Sequence, residues 1–393
     1  MYEELKANFS VSFDQPWQYI FSAPGRTELG GNHTDHQHGR VLAAAVNLDS
    51  TAAVAVNGED TIRVISEGYP ICIIELSDLL ARPEEQGSTA ALIRGVAAGI
   101  AQRGHRLRGF DAYVSSRVLP GSGLSSSAAF EVLMGTVINH ISGCGLTPVE
   151  IAQIGQYAEN VYFGKPCGLM DQMASSVGNI IGIDFKDPHS PVIEPVDFDF
   201  SRCGYSLCII DSGADHADLT DEYAAIPGEL SRICAILGKE YLRQVDETLF
   251  YARISELRRA AGDRAVLRAM HVFEENRRVS KEIAALKAKD FEGFLAQVRA
   301  SGQSSWLYLQ NVVPTGHTEH QELAFALALA DRLLNGRGAC RVHGGGFAGT
   351  IQAFVPENML ENFRREIDAV LGNGACHVLS IRPQGGVLLE ECR

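Results

Sequence analysis

No run of apolar residues approaches the roughly 20 that a transmembrane helix requires. The most apolar stretch, Val41 to Val56, is interrupted by Asn47, Asp49 and Ser50. The opening residues, Met-Tyr-Glu-Glu-Leu-Lys, lack a basic segment followed by an apolar one, so no secretory signal is expected. Basic residues are in short supply, 34 Lys and Arg against 48 Asp and Glu. The resulting formal net charge of -14 works against nucleic-acid or membrane partners and leaves room for a local pocket that takes one small anion. The nine cysteines include no Cys-x-x-Cys pair and leave one over. A reduced, cytoplasmic protein with buried thiols fits this pattern best. There is no internal repeat and no low-complexity tract. What remains is ordinary globular chemistry: 46% hydrophobic and 21% charged residues over 393 positions, enough for two packed domains.

Alternating short apolar runs predict strands at Trp17 to Ala23, Val41 to Val46, Thr51 to Val56, Thr61 to Ser66 and Ile71 to Leu76. Helical periodicity follows at Ala90 to Arg103, then a strand at Gly109 to Ser116, helices at Ser126 to Ile141 and Pro148 to Phe163, and an apolar run at Ile180 to Asp184. A stretch rich in Pro and Asp, Asp187 to Pro191 and then Pro195, is the expected seam, dividing the chain into domains 1–190 and 191–393. The second half reads as helices, Glu222 to Leu237, Glu247 to Ala261, Ala265 to Lys287, Asp290 to Leu309 and Glu319 to Leu334. Short β-like segments at Ala339 to Val342, Thr350 to Pro356 and His377 to Ile381 complete a small helix-flanked sheet.

Residues 119 to 131, Leu-Pro-Gly-Ser-Gly-Leu-Ser-Ser-Ser-Ala-Ala-Phe-Glu, run from a strand end through glycines and three serines into a helix. A phosphate site is built this way. Glycines admit the anion to the backbone, N–H groups converge on it, and the helix start adds unpaired donors and a positive dipole end. It is not a Walker A loop, because no Lys follows the last glycine. A serine-capped turn would need the same residue types. A second cluster, His343-Gly-Gly-Gly-Phe-Ala-Gly-Thr350, has more glycine than a hairpin requires and points to crowding against a ligand or another loop, or to a glycine bulge.

Between two apolar strands, Arg26, Glu28, Asn32, His33, Asp35, His36 and His38 lie in one polar, glycine-bracketed loop. Adjacent carboxylate, amide and imidazole groups suit paired hydrogen bonds to sugar hydroxyls. A zinc site is the weaker reading, since no second His or Cys pair stands at a familiar spacing, and a plain solvated loop leaves the glycines unexplained. Further on, Glu159 ends a helical run, and Asp171 stands among Leu169, Met170 and Met173. A carboxylate in apolar company is either a paired core group or a base with a tuned pKa.

In this order the segments resemble the GHMP small-molecule kinases, and the first resembles the galactokinases. Ala23-Pro-Gly-Arg-Thr-Glu-Leu-Gly-Gly-Asn-His-Thr-Asp35 is similar to the galactokinase signature Gly-Arg-x-Asn-Leu-Ile-Gly-Glu-His-Thr-Asp. Gly121 to Ala129 matches the nucleotide loop, Pro166 to Gln172 is similar to Pro-Cys-Gly-Ile-Met-Asp-Gln, and Gly344 to Phe347 to the third motif. The resemblance, which runs along nearly the whole chain, implies an α+β, two-domain GHMP kinase fold with the active site in the cleft between the domains. It implies transfer of phosphate from ATP, with Mg2+, to the anomeric C1 hydroxyl of galactose. Asp171 becomes the catalytic base and Arg26 its electrostatic partner. Gly121, Ser122, Gly123, Leu124, Ser125, Ser126 and Ser127 hold ATP, and Ser127 and Glu159 ligate magnesium. Asn32, His33, Asp35, Gly168 and Tyr223 bind the sugar. Two departures stand out. Asn32 replaces the family's Glu, the group expected at the C6 hydroxyl, which admits a C6-variant sugar such as galacturonate as an alternative. Thr89 stands near the place of an adenine-stacking aromatic. A catalytically idle sugar-binding regulator is the remaining alternative.

Overall fold

The computed structural model describes residues 2–118, 123–214 and 219–392; Gly121 and Ser122 of the expected ATP loop lie outside them. The strands are β1 (Tyr19–Gly30), β2 (Arg40–Val56), β3 (Thr61–Ser66), β4 (Cys72–Glu75), β5 (Phe110–Ser116), β6 (Ile180–Asp184), β7 (Val192–Pro195), β8 (Tyr205–Asp211), β9 (Ala339–Val342), β10 (Thr350–Pro356), β11 (Cys376–Leu379) and β12 (Val387–Glu391). The helices of the first half are α1 (Glu3–Phe13), α2 (Thr89–Ala101), α3 (Ser126–Ser142), α4 (Pro148–Tyr157) and α5 (Met170–Val177). Those of the second are α6 (Thr220–Ile236), α7 (Glu247–Ala252), α8 (Ile254–Ala261), α9 (Asp263–Lys287), α10 (Phe291–Ser304), α11 (Glu322–Leu334) and α12 (Leu360–Leu371).

One sheet runs β12-β1-β2-β5-β3-β4, with β6 on β2 and β7 on β6; β3 and β5 are its parallel pair. The other runs β11-β8-β10-β9, antiparallel throughout. The Pro- and Asp-rich seam lies between β6 and β7, and the first sheet takes β7 and, from the far end of the chain, β12. Strand alternation sets the layers. Phe21, Ala52 and Val54 face the core shared with α2, α3 and α4, while Ile20, Ala53 and Ala55 face Leu5 and Phe9 of α1. A third core joins the halves, packing Leu29 and Leu42 against Val279 and Ile283 of α9, Phe294 of α10, and Leu207 and Phe354 of the second sheet. Among the described residues no helix is long and apolar enough to cross a membrane.

The structure differs from the sequence reading in instructive places. β2 is one 17-residue strand rather than two, because its central polar residues are partnered from afar. Asp49 accepts from Ser22, Arg117 and Arg382, and Asn47 pairs with Ser380. The helix expected over Glu247 to Ala261 breaks at Arg253 into α7 and α8. Those expected to Phe163 and Leu309 end in wide π-turns, Ala158–Phe163 and Ser305–Leu309, which deliver Glu159 and lead into Asn311.

Candidate active site

Arg26 leaves β1 beside the start of α3, its backbone N–H donating to Leu124 O at 3.0 Å. Its guanidinium grips Asp171, in the first turn of α5, by two parallel bonds of 2.7 Å, and also donates to the Gly123 carbonyl. Ser125, a non-glycine residue at φ +59, turns its hydroxyl onto the same carboxylate at 2.6 Å. A serine forced into the left-handed region marks a loop shaped for a task other than folding. Burial alone would raise the Asp171 pKa; the charge and hydrogen bonds of Arg26, with the Ser125 bond, overcome it and hold the group below the usual carboxylate range. Asp171 is therefore an aligned anion at neutral pH.

At the first turn of α3, Ser127 donates to Glu159 Oε1 at 2.9 Å, and Lys165 stands 3.5 Å from the same oxygen. Gln172, next to Asp171, spreads its amide nitrogen over Glu159 Oε2 (2.8 Å) and Glu131 Oε2 (2.9 Å). Burial, and then the Glu159 carboxylate, push Glu131 well above the usual range. The remaining oxygens of Glu131 and Gln172 are buried with no hydrogen-bond partner among the described residues.

The polar loop after β1 folds under the β9–β10 connection. His33 Nε2 bonds the Gly345 carbonyl at 2.9 Å, so that nitrogen carries the proton and Nδ1 is left as an acceptor. Burial, the largest cause, lowers its pKa to about 4, which keeps the ring neutral. Asp35 lies against Gly168, where a Cβ would meet its Oδ2 at 1.8 Å. Tyr223 donates to Gly346 O at 2.8 Å and lies over Gly345, whose Cβ would meet the ring at 2.7 Å. A Cβ on Gly346 would strike Asn311 O at 2.1 Å. The third glycine cluster is thus crowded by another loop and an aromatic ring. His36 is exposed and His38 stacks on Tyr241 at 3.6 Å; among the described residues no three His, Cys, Asp or Glu side chains converge as metal ligands.

Asn32 is buried and turned inward. Its amide hydrogens go to Glu28 Oε1 (3.1 Å) and Gly344 O (2.6 Å), and its Oδ1 accepts from Asn311 at 3.0 Å. Against the quoted galactokinase signature, residues 28 and 32 are exchanged, carboxylate for amide and amide for carboxylate, and the two are hydrogen-bonded to each other. Beneath them α9 presents His271, Glu275, Arg278 and Glu282, spaced as one helical stripe and all buried. His271 Nε2 bonds Asn32 O at 3.0 Å. Glu275 receives the backbone N–H groups of Gly31 and Asn32 (3.3 and 3.4 Å), Ser301 Oγ (2.7 Å) and the Arg278 guanidinium. Arg341 of β9 binds both the carbonyl and carboxylate of Glu28 at 2.8 Å.

Sequence reading reached Asp171, Arg26, Ser127 and Glu159, and the structure brings each pair into contact. It did not single out Ser125 as a partner of Asp171, nor Gln172, Asn311, Arg341 or His343. His343 bonds Thr27 and Thr350, and would crowd any Cβ on Gly123. Each of these acts across a long stretch of chain, and only the exchanged pair at 28 and 32 left a trace in the motif.

A glycine loop opening a helix beside an arginine-held carboxylate, under a polar loop, defines a small-molecule kinase. Residues 91–179 match the family model described as GHMP kinases N terminal domain, and residues 7–56 the galactokinase galactose-binding signature. The chain is 33% identical to a galactokinase of Actinobacillus pleuropneumoniae over 89% of its length and 88% of the relative's. With a galactokinase of Streptomyces coelicolor the identity is 30%, over 93% of each. The solved Lactococcus lactis galactokinase complexed with galactose has the same fold, with a TM-score of 0.84 at 24% identity over 98% of this chain and 99% of that one. This chain belongs to the galactokinase family. As a GHMP kinase it is an ATP-using enzyme, a sugar kinase.

Proposed function

We propose that the protein transfers the γ-phosphoryl group of ATP to the C1 hydroxyl of galactose, releasing ADP and galactose 1-phosphate, in the cytoplasm. The observation that carries this reading is the Asp171 carboxylate, ionised, gripped on both oxygens and set at the foot of the glycine loop. Asp171 accepts the C1 hydroxyl proton as the O–P bond forms. Arg26 fixes the orientation of that carboxylate and offsets charge on the transferring group. The loop from Gly121 to Ser127 binds the phosphates through backbone N–H groups. His33, Asp35, the backbone at Gly168 and the Tyr223 phenol bind the sugar hydroxyls. Positioning supplies much of such a reaction, since phosphoryl transfer asks little covalent chemistry of the protein.

Ser127 and Glu159 offer the hard oxygen donors that Mg2+ takes, and the two unpartnered oxygens of Glu131 and Gln172 beside Glu159 fit a charge site. When bound there, Mg2+ neutralises charge on the β- and γ-phosphates. Glu159 is held by Gln172, so its orientation is set before any ion arrives.

For Asn32, both donors are spent on protein, and Oδ1 keeps one lone pair to offer a C6 hydroxyl. A C6 carboxylate would set acceptor against acceptor, with Glu28 behind. This favours galactose over galacturonate. The test is an ADP-release assay with MgATP and a panel of galactose, galacturonate, N-acetylgalactosamine, glucose and fucose. Turnover led by galactose is expected; no ADP from galactose would overturn the reading.

A further inference from the structure

Gly30 and Glu282 occupy the same space. A Cβ built on Gly30 would lie 1.8 Å from Glu282 Oε2 and 2.7 Å from its Cδ, so the carboxyl group of α9 sits in the room that a side chain on β1 would fill. At this position the galactokinase signature quoted above has isoleucine. Among the described residues neither oxygen of Glu282 finds a hydrogen-bond partner, and the residue is fully buried.

We propose that Glu282 is a positioning residue for the sugar-binding loop, seated in the space Gly30 leaves and holding the loop's underside in order only while it keeps its proton. The inference rests on the sugar-binding role proposed above for that loop.

Facing Glu282 are Glu28 from β1, Arg341 from β9, and Glu275 and Arg278 from its own helix, with Ser301 of α10 and His271 one turn further on bonded to the same cluster or to Asn32. Arg40, on β2, points outward to Asp184 and Ser280. Two guanidinium groups therefore serve three carboxyl groups. Both are already committed, Arg341 to Glu28 and Arg278 to Glu275, and Glu275 in turn receives the loop's backbone N–H groups. Burial first, then the Glu275 carboxylate, push the Glu282 pKa up from 4.5 to about 8, against the pull of Arg341 and Arg278. Once ionised, Glu282 competes for Arg278 and Arg341, and Glu275 loosens its hold on Gly31 and Asn32.

The sign follows from where the proton is kept. The folded state holds it up to about pH 8 and the unfolded state releases it near 4.5, so stability falls as pH rises through that window. The experiment measures thermal unfolding across pH, and KM and kcat for galactose, in wild type and in Glu282→Gln, which mimics the protonated acid. In wild type, KM is expected to rise about tenfold from about pH 7 to about 9.5, the loss of one charge-assisted hydrogen bond, with kcat changing less than about twofold. In Glu282→Gln, KM stays flat over that range, and the fall in Tm that wild type shows between about pH 4.5 and 8 disappears. Parallel profiles in the two proteins would overturn the proposal. As a check on the geometry, Gly30→Ala is expected to raise KM in the wild-type background and to change it much less in a Glu282→Ala background, where the shared space is empty; the same fold-change in both backgrounds would also overturn it. If galactose is not turned over at any pH, the functional reading falls, and the unfolding profiles still decide on Glu282.

Discussion

Two arginine–carboxylate clusters serve this site, Arg26 with Asp171 and Arg278 and Arg341 with the carboxyl groups against Gly31 and Asn32, and they behave in opposite ways. In the cleft, one guanidinium meets one carboxylate, with a serine hydroxyl added, and Asp171 is held as an anion below its usual range. Beneath the loop, two guanidinium groups meet three carboxyl groups. Against burial, the His271 ring, then Arg278 and Arg341, bring Glu275 down to about 2, while Glu282 is left to keep its proton. The lesson is that pairing alone does not set a carboxylate's pKa; the local count of charges does. The cleft cluster is matched and partly open to solvent, which suits a group that must meet substrate, whereas the buried one is unmatched and suits a group that must not.

The comparison breaks most sharply where charge is removed from the cleft. Asp171→Asn keeps shape and an acceptor for Arg26 but removes the base, so kcat is expected to fall by about 10²–10⁴ with galactose binding changed less than about tenfold. Turnover together with calorimetric galactose binding checks this; near-normal kcat would remove Asp171 from the role. Below the loop the same kind of cut acts on the fold. Arg341→Met leaves Glu28 without its cation and Glu275 with less, and the expected loss is about 3–5 kcal/mol in urea unfolding.

The exchanged pair gives a finer test. Asn32→Glu alone sets two carboxylates about one hydrogen bond apart, as Asn32 lies 3.1 Å from Glu28 Oε1. Adding Glu28→Asn reverses the direction of that bond rather than losing it. A double-mutant cycle on galactose KM is expected to show a favourable coupling of about 1–3 kcal/mol, the double variant outperforming Asn32→Glu. Additive effects would mean that the two side chains do not act as a unit.

How far the sequence reading reached follows the same divide. Groups on local motifs were legible: the glycine loop needs its residue types within a few positions, and Asp171 and Glu159 stand within short quoted segments. The periodicity of α9 was legible too, but its buried polar stripe was not. A stripe of His271, Glu275, Arg278 and Glu282 reads as a solvated face until Gly30, Glu28 and Arg341 are known to lie against it. The middle of β2 reads as a break for a related reason, since the partners of Asn47 and Asp49 stand between 27 and 333 positions away, and only folding brings Ser22, Arg117, Ser380 and Arg382 to them. The exchange at 28 and 32 stood in the motif, but only the hydrogen bond between them shows that it is one change and not two.

The smallest expected effect probes what keeps Asp171 so acidic. Ser125→Ala removes one donor from Asp171 Oδ2 and leaves the two Arg26 bonds in place. Because the donor favours the charged form, its loss raises the Asp171 pKa, and a depressed pKa that rises moves the acid limb of kcat/KM toward neutral pH. A stronger base would by itself speed proton removal. Alignment argues the other way, since phosphoryl transfer depends more on the position of the acceptor than on its basicity. The expected balance is a fall in kcat of about fivefold, near 1 kcal/mol, with the acid limb shifted upward. A shifted limb with an unchanged or higher kcat would show that basicity, not alignment, limits this site, and would make Ser125 a brake on Asp171 rather than its guide.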